Sequence, residues 1–206
     1  MGVSNNQHKF WLWPECSNKF FDYKKGTIQI NVTDPEILTV VAAMQARIST
    51  TDLAHKNGFE LQPHITVRYG FLGSPEKLEK WLQCIAAPVM IRFGKTAVFD
   101  PSSASDDAAV VYIAVDSDDL KILHRGIDVA AQFTRDTFDY SPHLTLAYVK
   151  PSEASKYIGD ASLQGRIFRA TEVMIRPVPY NVSLGSASLR CTKNDGSYYA
   201  KPEREY

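Results

Sequence analysis

One short pattern occurs twice in this chain, as Pro-His-Ile-Thr-Val and as Pro-His-Leu-Thr-Leu. In a β-strand, residues two positions apart share a face, so His64 and Thr66 point to one side, as do His143 and Thr145. Imidazole gives or takes a proton near neutral pH, and a hydroxyl donates a hydrogen bond to an anionic oxygen. If the two strands are neighbours, two proton-transfer groups and two hydroxyl donors would line one cleft.

The elements around the motifs follow from hydrophobic periodicity and from helix-start signals. Each motif strand is expected after a helix, and the two motif histidines lie 143 minus 64, or 79, positions apart. Thr33 and Glu36 have the spacing of a capping box for the first helix. The periodicity predicts strands at 27–32, 64–69, 89–99, 108–115, 143–149, 166–176 and 182–190, and helices at 33–48, 75–87, 117–133 and, as a short turn, after 150.

Strand alternation adds Arg68 to the face of the first motif, whereas Ala147 takes the equivalent place in the second. Arginine clamps phosphate oxygens well, so Arg68 is a candidate substrate-binding residue. The alternative is an arginine near a strand end that reaches solvent or an acidic neighbour. Tyr69 and Tyr148, each five positions after a motif histidine, are expected on the opposite face, in the core.

Composition limits the ligand. The chain has 206 residues, 44% of them hydrophobic, and its 23 basic and 23 acidic side chains give a net charge of zero. A protein that holds long nucleic acid through its phosphates usually carries a basic excess, so we expect a small anionic ligand instead. Neither motif has further ligands at the short spacing of a zinc or iron site, so we expect no metal and no cofactor.

The remaining features predict a cytoplasmic protein that is a monomer or a weak oligomer. Cys16, Cys84 and Cys191 are odd in number and form no CxxC pair, which favours a reducing compartment over a disulfide framework. The opening residues lack the charge and apolar pattern of a signal peptide, and no apolar run near the front is long enough to cross a membrane. The other histidines, at 8, 55 and 124, are interpreted as surface or packing residues.

The paired His-x-Thr motifs, about 80 residues apart, resemble those of the 2H phosphoesterase superfamily. The resemblance implies an α+β, bilobal (LigT-like) fold, with two pseudo-symmetric antiparallel sheet/helix lobes around a central cleft. It implies cleavage of phosphodiesters without a metal, with His64, Thr66, His143 and Thr145 as catalytic residues. The domain would span 27–190, after a lead-in segment at 1–26 that is rich in aromatic residues and before a polar tail at 191–206.

A narrower stretch, residues 140–159 together with the run FRATEVMI, is similar to the bacteriophage anti-CBASS phosphodiesterases. These enzymes degrade the cyclic di- and trinucleotide messengers of bacterial immunity. The resemblance implies a cyclic oligonucleotide substrate, action in the host cytoplasm, and a role for Glu172 in the site. The alternative for Glu172 is a solvated strand residue.

Two other functions stay open at this point. One is a 2H enzyme that acts on 2′,3′-cyclic phosphates or on 2′–5′ linkages of RNA, which would want a basic groove beside the cleft. The other is a non-catalytic domain that binds or sequesters a nucleotide. Binding alone does not require a paired acid and base, so the two intact motifs favour an enzyme.

Overall fold

The computed structural model describes residues 26–54, 58–72, 75–85, 88–134, 139–176 and, in backbone, 186–188. These residues form eight strands, three α-helices and three short 3-10 helices. The strands are β1 Gly26–Asn31, β2 His64–Phe71, β3 Val89–Phe99, β4 Ala109–Asp116, β5 His143–Val149, β6 Ile167–Ala170, β7 Glu172–Arg176 and β8 Ser186–Ser188. The helices are α1 Pro35–Gln45, α2 Pro75–Gln83 and α3 Asp118–Ala130, and the 3-10 helices are Thr50–Asp52, Ser103–Ser105 and Pro151–Tyr157.

All eight strands form one antiparallel sheet in the order β6-β3-β4-β5-β2-β1-β7-β8. The motif strands β2 and β5 are neighbours at its centre, with four strands in each half of the sheet. The unit β1-α1-β2 in one half matches the unit β4-α3-β5 in the other. The predicted α+β fold with two pseudo-symmetric lobes is therefore confirmed.

The run predicted as one strand at 166–176 is instead two strands in different halves of the sheet. β6 pairs with β3 and β7 pairs with β1, although only Thr171 separates them. Because consecutive residues reach opposite parts of the strand order, the sheet curls strongly. The sequence carries one weak signal of the break: the buried positions, Phe168 and Ala170 before it and Val173 and Ile175 after it, are out of phase by one residue.

Polar side chains at the helix starts satisfy the first backbone amides. Asp34, not Thr33, caps α1, and its carboxylate accepts from the amides of Glu36 at 2.9 Å and Ile37 at 3.0 Å. The predicted capping box between Thr33 and Glu36 is therefore wrong. Asp34, one residue closer to the helix than Thr33, is the N-cap and accepts from the first backbone amides. Ser117 caps α3 and also donates to the carbonyl of Met90 at 2.5 Å, which ties this helix to β3.

The two long helices cross between the halves. α1 follows β1 but packs against β5, and α3 follows β4 but packs against β2 and β3. Between helices and sheet lies one core, whose fully buried members include Ile28, Ile30, Ile65, Leu144, Ile113, Ile91, Leu78, Leu120 and Ile127. Each motif strand is therefore covered by a helix from the other half on the face opposite its histidine.

None of the helices in the described residues is long and apolar enough to cross a membrane. The predicted lead-in segment and the polar tail lie outside the described residues, except for Gly26. His8, His55, Cys16 and Cys191 also lie there.

Candidate active site

The register between the motif strands brings the two motifs side by side. Ile65 of β2 pairs with Leu144 of β5. In an antiparallel ladder the flanking positions then place Thr66 beside His143 and His64 beside Thr145, all on the face opposite that pair. Burial lowers the pKa of His143, and the neighbouring His64 lowers it further, as expected for two imidazoles on adjacent strands. The structure thus assembles the four predicted polar groups at one place.

Both imidazoles are held in the same way. The Nδ1 atom of His64 lies 2.7 Å from the carbonyl oxygen of Gln62, and that of His143 lies 2.8 Å from the carbonyl oxygen of Ser141. A carbonyl only accepts, so Nδ1 carries the hydrogen in both rings. Nε2 is therefore the atom that can take or give a proton in each motif.

A β-bulge follows each motif at the same position. Gln29 pairs with Thr66 and Ile28 with Arg68, so Val67 is the extra residue in β2. In β5 the extra residue is Leu146, since Tyr112 pairs with Thr145 and Val111 with Ala147. A bulge inserts one residue and reverses the faces beyond it. The two bulges, each three positions past a motif histidine, therefore decide which later side chains share the face of the motif histidines.

The carbonyls of the two bulged residues are bound by the helices that cross from the other half. His124 of α3 has its Nδ1 atom 2.7 Å from the Val67 oxygen. Gln45, at the end of α1, donates from Nε2 to the Leu146 oxygen at 3.0 Å. A bulge disrupts the local ladder, so these bonds replace ladder bonds at both sites. His124, predicted as a surface or packing residue, thus supports the motif strand.

Tyr140 connects His124 to the first motif. Its ring stacks on the His124 ring with centroids 4.0 Å apart, and its hydroxyl donates to the carbonyl oxygen of Thr66 at 3.2 Å. Burial raises the pKa of Tyr140, so the phenol keeps its proton as a donor. Residues from the second half of the chain therefore fix the backbone on which Thr66 sits.

The bulges correct the expectation for Tyr69 and Tyr148. Tyr69 pairs with Thr27 and Tyr148 with Val110, and both positions share the face of the motif histidines. The expectation that these tyrosines lie on the core face is wrong, because alternation does not continue through a bulge. Burial and the nearby carboxylate of Glu60 raise the pKa of Tyr148 to about 12, so it is a neutral phenol on the motif face.

The same bulge turns Arg68 away from the motif face. Arg68 is 6% exposed, and its Nε donates to the Asp128 carboxylate of α3 at 2.6 Å. Its Nη2 donates to the carbonyl of Thr134 at 3.2 Å, and its guanidinium lies 5.0 Å from the centre of the Phe133 ring. The expectation that Arg68 shares the face of Thr66 is wrong. The alternative, an arginine satisfied by an acidic neighbour, describes what the structure shows.

Glu172, the other candidate substrate-binding residue, lies at the start of β7 and is exposed. Met174 pairs with Gln29, which pairs with Thr66, so alternation places Glu172 on the motif face. It stands two strands away from His64. The structure therefore leaves Glu172 on the right face for a ligand larger than a single phosphate.

Two aromatic rings contact the ring of His143. The ring of Phe99 lies 4.8 Å away, edge-on, and that of Tyr112 lies 5.3 Å away. Phe99 and Tyr112 also stack on each other, with centroids 4.0 Å apart. Burial is the main cause that lowers the pKa of His143, and the charge of His64 adds to it. His143 is therefore neutral near pH 7 and can accept a proton. Nothing in the sequence indicates that these two rings meet the motif.

Metal ligands do not gather in the part of the chain that the structure describes: no three side chains of His, Cys, Asp or Glu come together there. The prediction that the protein uses no metal stays a prediction.

These features, two His-x-Thr pairs meeting on the central strands of a bilobal antiparallel sheet, define a phosphoesterase of the 2H class. A family model described as the 2'-5' RNA ligase superfamily matches residues 33–173. The chain belongs to this superfamily, and it is an enzyme of the phosphoric diester hydrolase class.

A structure of Kluyveromyces marxianus Usb1 with uridine monophosphate is similar to this chain, with 13% sequence identity and a TM-score of 0.44, over 82% of this chain and 99% of that chain. No curated protein matches the sequence.

Proposed function

We propose that the protein is a metal-independent phosphodiesterase that cleaves the 3′–5′ bonds of cyclic oligonucleotide second messengers. The observation that carries the proposal is the arrangement of Thr66 beside His143 and His64 beside Thr145 on adjacent strands. One phosphate between the strands can reach two proton-transfer groups and two hydroxyl donors. In a bacteriophage such an enzyme would act in the host cytoplasm and help the phage to evade CBASS immunity.

The histidines divide the proton transfers. His143 is neutral because its surroundings lower its pKa, so its Nε2 takes the proton from the attacking hydroxyl or water. His64 then gives a proton from Nε2 to the oxygen that leaves phosphorus. Thr66 and Thr145 donate hydrogen bonds to the non-bridging oxygens, where negative charge accumulates.

The rest of the cleft face supports a small nucleotide ligand rather than a long one. Phe99, Tyr112 and Tyr148 give the β5 half of this face aromatic surface, and bases stack on such rings. Asn31 gives the β1 half an amide group that can hydrogen-bond base edges or sugar hydroxyls, and the buried Gln29 orients it by donating from Nε2 to the Asn31 side-chain oxygen at 2.6 Å. The net charge of zero favours a compact anion over a polyanion. The resemblance over residues 140–175 to phage enzymes supports the same substrate class.

A substrate panel tests the proposal. The purified protein would be incubated in EDTA with cyclic dinucleotides, cyclic trinucleotides, a 2′,3′-cyclic mononucleotide and a 2′–5′ linked oligomer, and the products separated by chromatography. The His64→Ala/His143→Ala double variant is the control. We expect linear products from the cyclic oligonucleotides with the wild-type protein alone. Tight binding without turnover would contradict the proposal and indicate a sequestering domain.

The family description favours a second candidate, an enzyme that acts on 2′–5′ linkages or 2′,3′-cyclic phosphates of RNA. The same histidine pair serves that reaction, because the proton transfers are unchanged. Cleavage confined to the 2′,3′-cyclic or 2′–5′ members of the panel would establish this candidate and exclude the first.

A further inference from the structure

An acidic residue stands four positions before each motif histidine, with a proline directly before the histidine. Glu60 precedes His64, and Asp139 precedes His143. This spacing belongs to the same internal similarity as the motifs. The structure, however, uses the two acids differently.

Glu60 is fixed beside His64. Its Oε1 lies 3.9 Å from His64 Nδ1 and accepts the amide of Gln62 at 2.9 Å. Its backbone is anchored on both sides, since its amide donates to the Leu146 oxygen at 3.0 Å and its carbonyl accepts from Gln45 at 2.8 Å. The side chain is 19% exposed. The carboxylate is therefore a fixed negative charge beside the first motif, attached to the bulge of the second.

The Asp139 carboxylate is not held beside the His143 ring in this way. It is exposed, and within the described residues no ion pair joins it to His143. The ring of His143 instead contacts the rings of Phe99 and Tyr112. One imidazole thus has a carboxylate next to it, and the other has two aromatic rings. A neighbouring negative charge favours an imidazolium, whereas burial favours neutral imidazole.

We propose that Glu60 is a positioning residue that holds His64 as the imidazolium acid and so fixes the division of roles between the two histidines. This inference rests on the proposed function. In the step, the attacking oxygen gives its proton to His143 as its bond to phosphorus forms. His64 gives its proton to the leaving oxygen as that bond to phosphorus breaks. Exchange with water then returns His143 to the neutral form and His64 to the protonated form.

The other charged and titratable groups near His64 do not replace Glu60. They are His143 across the strand pair, Tyr148 beyond Glu60, Glu172 two strands away, and Arg176, whose Nη2 is held at 2.7 Å by the Gln62 side-chain oxygen. Asn31, which pairs with His64 on β1, is neutral. Arg176 and His143 oppose a charge on His64, and Glu172 is more distant, so Glu60 is the group placed to support that charge.

Substitution of each acid by its amide tests the proposal. Glu60→Gln keeps both backbone bonds, and Asp139→Asn is the matched control at the equivalent position. The ring signals of both histidines would be compared by NMR at neutral pH, which needs no substrate. We expect Glu60→Gln to move the His64 signals toward those of a neutral imidazole, because the carboxylate that favours the charged ring is removed. Asp139→Asn should move the signals of neither histidine. An unmoved His64 signal in Glu60→Gln would overturn the proposal.

Leaving-group dependence gives a kinetic readout that a purely structural role would not change. Cyclic di-AMP would be compared with a p-nitrophenyl ester of a nucleoside monophosphate, because p-nitrophenolate departs without being protonated. Glu60→Gln and His64→Ala should lose activity on the cyclic dinucleotide and much less on the aryl ester. His143→Ala should lose it on both. If His143→Ala instead keeps activity on the aryl ester and His64→Ala loses it, the roles of the two histidines are reversed and the proposal is overturned. If cyclic di-AMP is not cleaved, the NMR comparison and the aryl ester still test Glu60, so the two proposals can fail separately.

Discussion

The Nδ1 atom of His124 lies 2.7 Å from the carbonyl oxygen of Val67, the residue that forms the bulge after the first motif. This bond connects a helix of one half to the motif strand of the other. Gln45 makes the corresponding bond to Leu146 in the opposite direction. The site is therefore held by reciprocal contacts between the halves, and neither half supports its own motif alone.

Removing the His124 side chain should destabilise the protein. His124→Ala leaves the Val67 carbonyl without this partner and removes the ring on which Tyr140 stacks, at a cost of about 1–3 kcal/mol. Gln45→Ala should cost a similar amount, because it removes the bond to the Leu146 oxygen, which keeps the amide of Glu60, and also the bond to the Glu60 carbonyl. Urea unfolding of both variants measures the losses. Unchanged stability in His124→Ala would contradict the role assigned to His124.

Arg68 should contribute to stability rather than to turnover. Its bond to Asp128 predicts a coupling free energy of about 1–2 kcal/mol in a double-mutant cycle of Arg68→Met and Asp128→Asn, because the Asp128 side chain is 39% exposed. The kcat/KM of folded Arg68→Met should stay near the wild-type value. A phosphate clamp would instead lose about 10-fold to 100-fold in kcat/KM with no coupling to Asp128.

The rings of Phe99 and Tyr112 beside His143 should set the acidic limb of the pH profile of kcat/KM. Burial lowers the pKa of His143 below its usual value of 6.5, so its neutral form persists to lower pH. Phe99→Ala exposes the ring, and the pKa should rise toward the usual value. The acidic limb of kcat/KM then moves to higher pH, and NMR titration of the His143 ring should show the same change.

The same shift makes stability depend on pH. The unfolded chain binds the His143 proton more tightly than the folded protein does, so this contribution to stability is present above pH 6.5 and is lost as the pH falls toward the lowered pKa. The loss should be smaller in Phe99→Ala. Val129→Ala, at a side chain that is 90% exposed on α3, is the control and should change neither the profile nor this slope. An acidic limb that does not move in Phe99→Ala would contradict the role assigned to the Phe99 ring.

Much of the architecture could be predicted from periodicity. β3 and β5 begin and end where the alternation predicts, and the repeated motif identified the residues that meet at the centre. The bulges could not be predicted, because Val67 and Leu146 are apolar like the residues on the core face and nothing local marks them as extra. The bulge in β2 reversed the expected faces of Arg68 and Tyr69, and the bulge in β5 reversed that of Tyr148.

Contacts between segments that are distant in the sequence could not be predicted either. Phe99 and Tyr112 meet His143 only because β3, β4 and β5 are consecutive in the sheet. The break between β6 and β7 depends on pairing partners in different halves. Glu60 did leave a signal, its position four residues before His64, which matches Asp139 before His143.

The claim that the two motifs form one catalytic unit is tested most directly by the turnover of His64→Ala, His143→Ala and the double variant on one cleaved diester, in EDTA. Each single variant should lose activity on the order of 10²-fold to 10⁴-fold. The double variant should lose far less than the product of the two, because groups that act in one step are not additive. Near-wild-type turnover in either single variant, or fully multiplicative losses, would contradict a shared site.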